Sequence, residues 1–250
     1  MKIWISGAAG HMGQAVAQLA REQGIEILGG IDQREAFGID TYRVFTSLPE
    51  PGDAIIDFSA PAALNSLLPW AVQNGVPCVL ATTGYTEDQL AEIDNAAKQI
   101  AIFRSANMSV GIALLRKLAR EAAAALGENF DIEIVEAHHR RKKDAPSGTA
   151  LMLYDAVKNA RGETSPAVFG REGRNCPREK GEIGIHALRG GTVTGEHQVC
   201  FLGEMERITL SHSAESRAVF AAGALRAAAF LQGKKPGLYD MDDLLNEQGL

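Results

Sequence analysis

Residues 2–13 read K-I-W-I-S-G-A-A-G-H-M-G and combine an apolar run with three glycines spaced three residues apart. The apolar run is typical of a buried strand, and the pattern from Gln14 to Gln23 predicts a helix that ends at Gly24. A strand, a glycine turn and a helix in this order favour binding of a dinucleotide pyrophosphate at the helix start. The G-x-x-G-x-x-G spacing also occurs in ordinary turns, so a plain turn is the alternative.

A carboxylate follows the second predicted strand, which covers residues 25–31 and ends at Asp32. At this place an acidic group holds the hydroxyls of the adenosine ribose and repels a 2′-phosphate, whereas arginine attracts the phosphate. Gln33, directly after Asp32, and His11, directly after the second glycine, do not supply the arginine that would bind this phosphate. We therefore expect NADH to be preferred, with Arg34 leaving room for some NADPH use. The predicted coenzyme contacts here are Gly7, Ala8, Ala9, Gly10, His11, Met12 and Asp32.

Three further apolar runs predict strands over residues 54–59, 76–81 and 101–103, alternating with helices over 61–74 and from Thr86 to about Lys98. Thr86 and Gln89 have the spacing of a capping box. This alternation predicts a Rossmann-type, doubly wound parallel sheet of the α/β class, with the loops after its strands at the same rim as the glycine turn. Turns that serve only to cap helices are the alternative for any one loop.

The richest set of polar groups occupies residues 136–150, E-A-H-H-R-R-K-K-D-A-P-S-G-T-A, after an alternating strand pattern at 130–135. The paired histidines thus lie near a strand end, and the amides of Ser147, Gly148 and Thr149 begin a helix and can bind a carboxylate or phosphate. A histidine beside that anion can exchange a proton with it. A solvated basic turn before an ordinary helix is the alternative. We expect no metal site, because adjacent strand residues point to opposite faces.

The remainder of the chain predicts a smaller α+β domain with an open mixed sheet. A helix covers residues 109–126 and another ends near 159, whereas the glycine- and charge-rich segment 161–180 is predicted to be a loop that orders on binding. Strands are predicted over 182–188, 192–202 and 206–211, and helices over 217–231 and after 241. The predicted domains are 1–107 with 213–250 for the dinucleotide, and 108–212 for substrate and oligomerisation.

Composition limits the classes of partner. The chain has 250 residues, 46% of them hydrophobic, and a formal net charge of -6, which argues against a general binder of nucleic acid or anionic membranes. Cys78, Cys176 and Cys200 are widely separated and fit reduced thiols rather than a disulfide framework. No run has the length of a membrane span or the pattern of a secretion signal. We therefore expect a soluble cytoplasmic protein.

The pattern E-x-H-H-x-x-K-x-D-A-P-S-G-T-A in residues 136–150 resembles the signature of the dihydrodipicolinate reductase (4-hydroxy-tetrahydrodipicolinate reductase) family. These nicotinamide-dependent enzymes serve the diaminopimelate route of lysine biosynthesis. The resemblance implies hydride transfer from NAD(P)H to the cyclic imine dicarboxylate derived from 4-hydroxy-tetrahydrodipicolinate, giving tetrahydrodipicolinate. It assigns His138 and Lys142 to acid–base catalysis, and His139, Gly148 and Thr149 to the substrate.

The loops after the fourth and fifth strands are similar to the family's G-T-T-G and A-x-N-F-S-V-G elements, with Ala81 in place of a glycine and Met108 in place of the phenylalanine. The resemblance implies contacts with the nicotinamide half of the coenzyme for Ala81, Thr82, Thr83, Ser105, Ala106, Asn107 and Met108. It also implies a homotetramer built on the second sheet. We expect a hinge between the two domains to close over the substrate and to exclude water from the transfer.

Two other functions share some of these features. A nicotinamide dehydrogenase of another small acid needs the glycine turn and Asp32 but not the H-H-x-x-K and P-S-G-T elements. A noncatalytic redox sensor would bind NAD(H) without consuming it. Further cationic or titratable side chains are either additional anion contacts or structural groups, and charge type does not separate these roles; they are Arg189, Arg217, His186 and His197.

Overall fold

A computed structural model of the protein describes residues 1–162 and 165–247. The chain forms two compact units, one of Met1–Val110 with Arg217–Leu250 and one of Gly111–Ser216. In chain order the elements are β1 (Lys2–Ser6), α1 (His11–Glu22), β2 (Glu26–Ile31), β3 (Thr41–Tyr42), β4 (Ala54–Asp57), α2 (Leu64–Asn74), β5 (Cys78–Leu80), α3 (Glu87–Ala96), β6 (Ala101–Arg104), α4 (Val110–Leu126), β7 (Asp131–His138), α5 (Gly148–Arg161), β8 (Ala167–Phe169), β9 (Ile183–Arg189), β10 (Gly195–Leu202), β11 (Arg207–Ala214), α6 (Ala218–Phe230), β12 (Gly237–Tyr239) and α7 (Met241–Asn246).

The first unit is built on a parallel sheet with the strand order β12-β6-β5-β4-β1-β2-β3. All the pairings of this sheet are parallel, and its central strands place Trp4, Ile55 and Leu80 in the core with no exposed surface. The chain leaves β1 in one direction along the sheet and returns to its other side at β4, which creates a crevice at the carboxyl ends of these two strands. The predicted Rossmann-type, doubly wound sheet is confirmed.

Several local predictions for this unit also hold. Thr86 and Gln89 form the capping box of α3, and Gly75 ends α2 with a φ of 66°. The first helix begins at His11, three residues before the predicted Gln14, because Gly10 already serves as its N-cap. The helix predicted from Pro61 starts as a 3-10 turn over Pro61–Ala63.

Two strands of this sheet were not predicted. β3 contains two residues and β12 contains three, so neither is long enough to show an alternating pattern in the sequence. Each lies at an edge and pairs with one neighbour, β3 with β2 and β12 with β6. Their pairing therefore depends on long-range contacts rather than on local sequence.

The second unit is built on a mixed sheet, as predicted, and the strand order of this sheet is β11-β10-β7-β9-β8. β10 is antiparallel to both β7 and β11, whereas β9 is parallel to both β7 and β8. One face of the sheet is apolar, and Ile132, Ile134 and Phe201 lie fully buried among side chains of α4 and α5. This packing fixes the carboxyl end of β7, where the paired histidines lie.

The prediction of a loop over residues 161–180 is wrong in part. β8 lies inside this segment and pairs with β9. Arg171 and Arg178 then form ion pairs with Glu133 and Glu182, which fasten the segment to the sheet. The composition of the segment does not reveal that its arginines pair with Glu133, which lies 45 residues before Arg178 in the sequence. Residues 163 and 164 of the segment lie outside the described residues.

Within the described residues, no helix has both the length and the apolar character that crossing a lipid bilayer requires. Residues 1–162 and 165–247 also contain no group of three or more histidine, cysteine, aspartate or glutamate side chains arranged to hold a metal ion.

Candidate active site

The glycine turn after β1 is so tightly packed that side chains would not fit. Gly7 has a φ of 79°, and a Cβ atom on it would lie 2.7 Å from the carbonyl oxygen of Phe58. A Cβ atom on Gly13 would lie 2.3 Å from the carbonyl oxygen of Gly7. Gly10 caps α1 without a side-chain hydrogen bond, so no side chain of the cap occupies the first amides of the helix. This geometry fits the pyrophosphate of a dinucleotide.

Asp32 fastens this turn to the end of β2. Its two carboxylate oxygens accept hydrogen bonds from the backbone amides of Ala9 and Arg34, both at 3.0 Å. Asp32 also lines an adjoining cleft of about 530 Å³, together with Gly7, Gly10 and Arg34. Asp32 therefore lies beside the glycine turn and faces this cleft, and its contact with a ribose diol stays a prediction.

The sequence interpretation missed one cation of this cleft. Arg43 lines the cleft because the short strand β3 pairs with β2 and places the following residue beside Asp32. Its guanidinium donates to the carbonyl oxygen of Asp32 at 3.3 Å and forms an ion pair with Glu35 at 2.7 Å. Arg34 lies 3.9 Å from the Asp32 carboxylate. Two arginines thus flank the predicted ribose site.

The loops that follow β4, β5 and β6 all lie at the carboxyl edge of the parallel sheet. Ser105 and Asn107 form a closed turn, in which the Ser105 hydroxyl donates to the Asn107 carbonyl at 2.7 Å. Ala8, Ala81 and Met108 are buried, so any contact that they make with a ligand must use the main chain. Thr82 is also buried, with 8% of its surface exposed. The remaining predicted side chains are at least partly accessible; they are Ala9, His11, Met12, Thr83, Ser105, Ala106 and Asn107.

Glu136 is the centre of a buried network in the second unit. Its carboxylate is fully enclosed, and both of its oxygens accept hydrogen bonds from the guanidinium of Arg189, at 2.8 and 2.7 Å. The same carboxylate lies 2.5 Å from Nδ1 of His138 and accepts the backbone amide of Ser147 at 3.0 Å. The network joins the ends of β7 and β9 to the first turn of α5.

The ionisation of this network follows from its contacts. Burial opposes the charge on Glu136, but hydrogen bonds from Arg189, His138 and Ser147 outweigh it and lower the pKa of that carboxyl group. Burial lowers the pKa of His138 against the pull of Glu136, and the charges of Lys142 and Arg189 lower it further. His138 is therefore a neutral imidazole at neutral pH whose Nδ1–H donates to Glu136, so Nε2 carries the lone pair.

His197 packs its ring edgewise against the ring of His138, with centroids 5.2 Å apart. Its Nε2 lies 3.1 Å from the Ser147 hydroxyl, which in turn accepts the amide of Ala150 at 3.1 Å and so caps α5. Burial, followed by the charge of His138, lowers the pKa of His197 to about 4. His197 is 4% exposed and stays neutral over the physiological range.

The predicted helix start at Ser147 is confirmed, but one of its predicted donors is not available to a ligand. The amide of Ser147 already donates to the Glu136 carboxylate. Gly148 and Thr149 follow as the first residues of α5, and a Cβ atom on Gly148 would meet nothing within 4 Å. The open space at Gly148 is consistent with close approach of an anion.

Lys142 lies in the turn after His139, where its amide donates to the His139 carbonyl at 3.1 Å. Its ammonium group forms an ion pair with Asp144 at 2.9 Å, and this contact is the main reason that the pKa of Asp144 is lowered. The side chain of Lys142 is 21% exposed and thus remains accessible from solvent. Within the second unit, the structure brings His138, His139 and Lys142 to one end of β7.

The sequence left the roles of four cationic or titratable side chains open, and the structure gives three of them contacts within the protein. Arg189 holds Glu136, and Nε2 of His186 lies 2.6 Å from the carboxylate of Glu133. His197 holds Ser147, as described above. Arg217 is exposed at the start of α6.

Comparisons with known proteins agree with this architecture. The N-terminal family model of dihydrodipicolinate reductase matches residues 1–108, and the C-terminal model matches residues 111–245. The chain is 49% identical over 250 residues to 4-hydroxy-tetrahydrodipicolinate reductase of Caldanaerobacter subterraneus subsp. tengcongensis, covering 99% of both chains. It is 46% identical over 250 residues to the reductase of the same name from Zymomonas mobilis, covering 98% of this chain and 97% of the relative.

Solved structures give the same result. The dipicolinate-bound dihydrodipicolinate reductase from Paenisporosarcina sp. TG-14 superposes with a TM-score of 0.80 at 25% identity and covers 96% of this chain and 97% of its own. Aspartate dehydrogenase from Thermotoga maritima, at 11% identity and a TM-score of 0.52 over 94% of this chain and 98% of its own, shares the fold alone. With two family models that together match nearly the whole chain, this protein belongs to the dihydrodipicolinate reductase family.

Proposed function

We propose that the protein reduces the cyclic imine dicarboxylate derived from 4-hydroxy-tetrahydrodipicolinate to tetrahydrodipicolinate, in the diaminopimelate route to lysine. The observation that carries the proposal is the set of His138, His139 and Lys142 at the end of β7, next to the start of α5. A dehydrogenase of an unrelated acid does not need this set. The relative from Paenisporosarcina sp. TG-14, whose structure contains dipicolinate, supports a dicarboxylate as the ligand class.

The first unit is proposed to bind the coenzyme, which supplies the hydride when it is bound. The amides at the start of α1 would hold the pyrophosphate, and Asp32 would accept hydrogen bonds from the adenosine ribose. NADH is the proposed preferred coenzyme because the Asp32 carboxylate repels a 2′-phosphate. Arg34 and Arg43 beside it support some use of NADPH.

The second unit is proposed to bind substrate and supply the proton. Lys142 is the acid, because its ammonium group carries a transferable proton and remains accessible. His138 is neutral and completes the acid–base pair by accepting a hydrogen bond at Nε2. His139 and the amides of Gly148 and Thr149 are proposed to bind the substrate, the amides holding one carboxylate at the helix start.

A homotetramer assembled through the second sheet is also proposed. β11 is an edge strand that carries Ile208, which is 37% exposed. Met205, in the turn before this strand, is 98% exposed. A long open edge with apolar side chains favours pairing with another chain. Sedimentation analysis of the purified protein tests this proposal, and a species with the mass of one chain would contradict it.

The separated free cysteines Cys78, Cys176 and Cys200 support a reducing compartment, and we propose the cytoplasm.

The activity is tested by a coupled assay in which the lysine-route precursor is generated in the reaction mixture. The oxidation of NADH is followed by the loss of its absorbance. We expect a precursor-dependent loss of NADH. Tight binding of NADH without precursor-dependent oxidation would instead support the noncatalytic redox sensor, and oxidation driven by another small acid would support the other dehydrogenase.

A further inference from the structure

A buried carboxylate at the end of β4 has no place in the mechanism described so far. Asp57 is 2% exposed and accepts two hydroxyl hydrogen bonds, from Ser59 at 2.5 Å and from Thr82 at 2.7 Å. None of the ion pairs within residues 1–162 and 165–247 includes Asp57. A buried carboxylate without a cation is costly, which points to a use for its charge and geometry.

The two hydrogen bonds fix the polarity of both hydroxyl groups. A serine or threonine hydroxyl has one proton and two lone pairs. Because Ser59 and Thr82 each give that proton to Asp57, their oxygens can offer only lone pairs to any other group. Both side chains therefore act as acceptors at this rim of the sheet.

The position of Asp57 places these acceptors beside the coenzyme crevice. In the sheet, Asp57 is the register partner of Ser6, the last residue of β1 before the glycine turn. Ser59 lines the same cleft as Gly7 and Gly10, and Thr82 follows β5, one strand farther from β1. Strands of a sheet are about 4.8 Å apart, so Thr82 lies a further strand width from the pyrophosphate turn than Ser59.

Given the proposed function, on which this inference rests, the adenosine half runs from the glycine turn towards Asp32 on β2. The nicotinamide half must then run the other way, over the ends of β4 and β5. Ribose hydroxyls come first after the pyrophosphate, and the nicotinamide ring lies beyond them. The donors of this half are the ribose hydroxyls and the N–H groups of the nicotinamide carboxamide, which match a row of acceptors.

We infer that Asp57 is a positioning residue that turns Thr82 into an acceptor for the carboxamide N–H of the nicotinamide, and Ser59 into an acceptor for the neighbouring ribose. The amides of the glycine turn supply donors for the pyrophosphate, and the Asp57 cluster supplies acceptors for the nucleoside. The crevice is thereby divided into a donor part and an acceptor part.

The test compares the binding of NADH with that of reduced 3-acetylpyridine adenine dinucleotide, in which a methyl group replaces the carboxamide NH2. Dissociation constants are measured by isothermal titration calorimetry on the intact protein. We expect the wild type to bind NADH about fivefold more tightly than the analogue, which corresponds to the roughly 1 kcal/mol that one net hydrogen bond contributes.

Thr82→Val removes the acceptor and retains the shape of the side chain, so this variant should bind NADH and the analogue about equally tightly. Thr82→Ser retains a hydroxyl and should restore the preference. Ser59→Ala is the matched control, because it removes the other hydroxyl on Asp57; it should weaken binding of both dinucleotides equally and leave the preference unchanged. These variants separate a role towards the carboxamide from a general loss of packing.

Asp57→Leu tests the positioning residue itself, because leucine has a similar branched shape without acceptors. The released Thr82 hydroxyl can then donate to the carbonyl oxygen that both dinucleotides carry, so we expect the preference to be lost while the analogue still binds. Retention of the full preference in Thr82→Val, or in Asp57→Leu, would overturn the inference and leave the proposed function standing. Failure of the wild type to bind NADH would overturn both.

Discussion

Arg189 and Glu136 form a two-point ion pair in which both carboxylate oxygens of Glu136 meet the guanidinium of Arg189, at 2.8 and 2.7 Å. The pair joins the end of β9 to the end of β7, and the same carboxylate holds His138 and the first amide before α5. One fully enclosed acid group thus positions the imidazole and the helix start together. The conformation of the H-H-x-x-K loop depends on a contact that spans 53 residues of sequence.

Arg189→Met should therefore destabilise the protein severely. Removing one partner of a buried pair leaves an uncompensated charge, and we expect the free energy of unfolding to fall by about 3 kcal/mol. Denaturant titration measures the change. Lys180→Met is the control, because Lys180 pairs with Glu128 on the surface and should contribute less than about 1 kcal/mol. Equal losses of unfolding free energy in the two variants would contradict the prediction that Glu136 needs the charge of Arg189.

His197→Gln should flatten the pH dependence of stability. The folded-state pKa of His197 is about 4, below its ordinary 6.5, so the unfolded chain takes up the proton first as the pH falls. The stability that His197 contributes is complete above pH 6.5 and is lost as the pH falls towards 4; the loss amounts to roughly 3 kcal/mol. Glutamine can still contact Ser147 but does not titrate in this range. Parallel curves for both proteins between these pH values would contradict the assignment.

Gly195→Ala should impair turnover through His138. A Cβ atom on Gly195 would lie 3.1 Å from Nε2 of His138, the nitrogen that carries the lone pair. We expect kcat to fall at least tenfold while the dissociation constant of NADH stays the same, and steady-state kinetics with calorimetry measures both quantities. Gly190→Ala is the matched control, because a Cβ atom there would meet nothing within 4 Å. A Gly195→Ala enzyme with wild-type kcat would argue against a role for Nε2.

Gln33→Arg should shift coenzyme use towards NADPH. The new guanidinium would lie between Asp32 and Arg34, beside the cleft that Arg43 also lines, and would attract a 2′-phosphate. We expect kcat/KM for NADPH to rise about tenfold relative to that for NADH. Gln23→Arg adds the same charge at the exposed end of α1 and should leave the ratio unchanged. A wild type that already uses NADPH much better than NADH would contradict the interpretation of Asp32.

The elements that could be predicted from the sequence are those whose signal is local. The glycine turn, the capping box of Thr86 and Gln89 and the helix start at Ser147 each occupy a few consecutive residues, and each is present. The doubly wound sheet could be predicted because apolar runs that are typical of buried strands alternate along the chain with predicted helices. His138 and Lys142 were assigned through their motif, and the structure places both at the end of β7.

The contacts that the sequence did not reveal are long-range. Arg189 belongs to Glu136 only because β9 pairs in register with β7, and Arg43 reaches Asp32 only because the two-residue strand β3 pairs with β2. The same holds for Asp57, whose partner Thr82 lies 25 residues away. No periodicity or local spacing encodes such pairings, and the charge of a side chain does not identify its partner.

The central claim is that the ammonium group of Lys142 supplies the proton during reduction, and the most direct test is the precursor-dependent oxidation of NADH by Lys142→Met. We expect kcat to fall by about 10²-fold or more with unchanged NADH affinity, the scale of general acid catalysis. Lys143→Met, which removes the exposed neighbouring ammonium group, should change kcat by less than about threefold. Wild-type turnover in Lys142→Met would contradict the account.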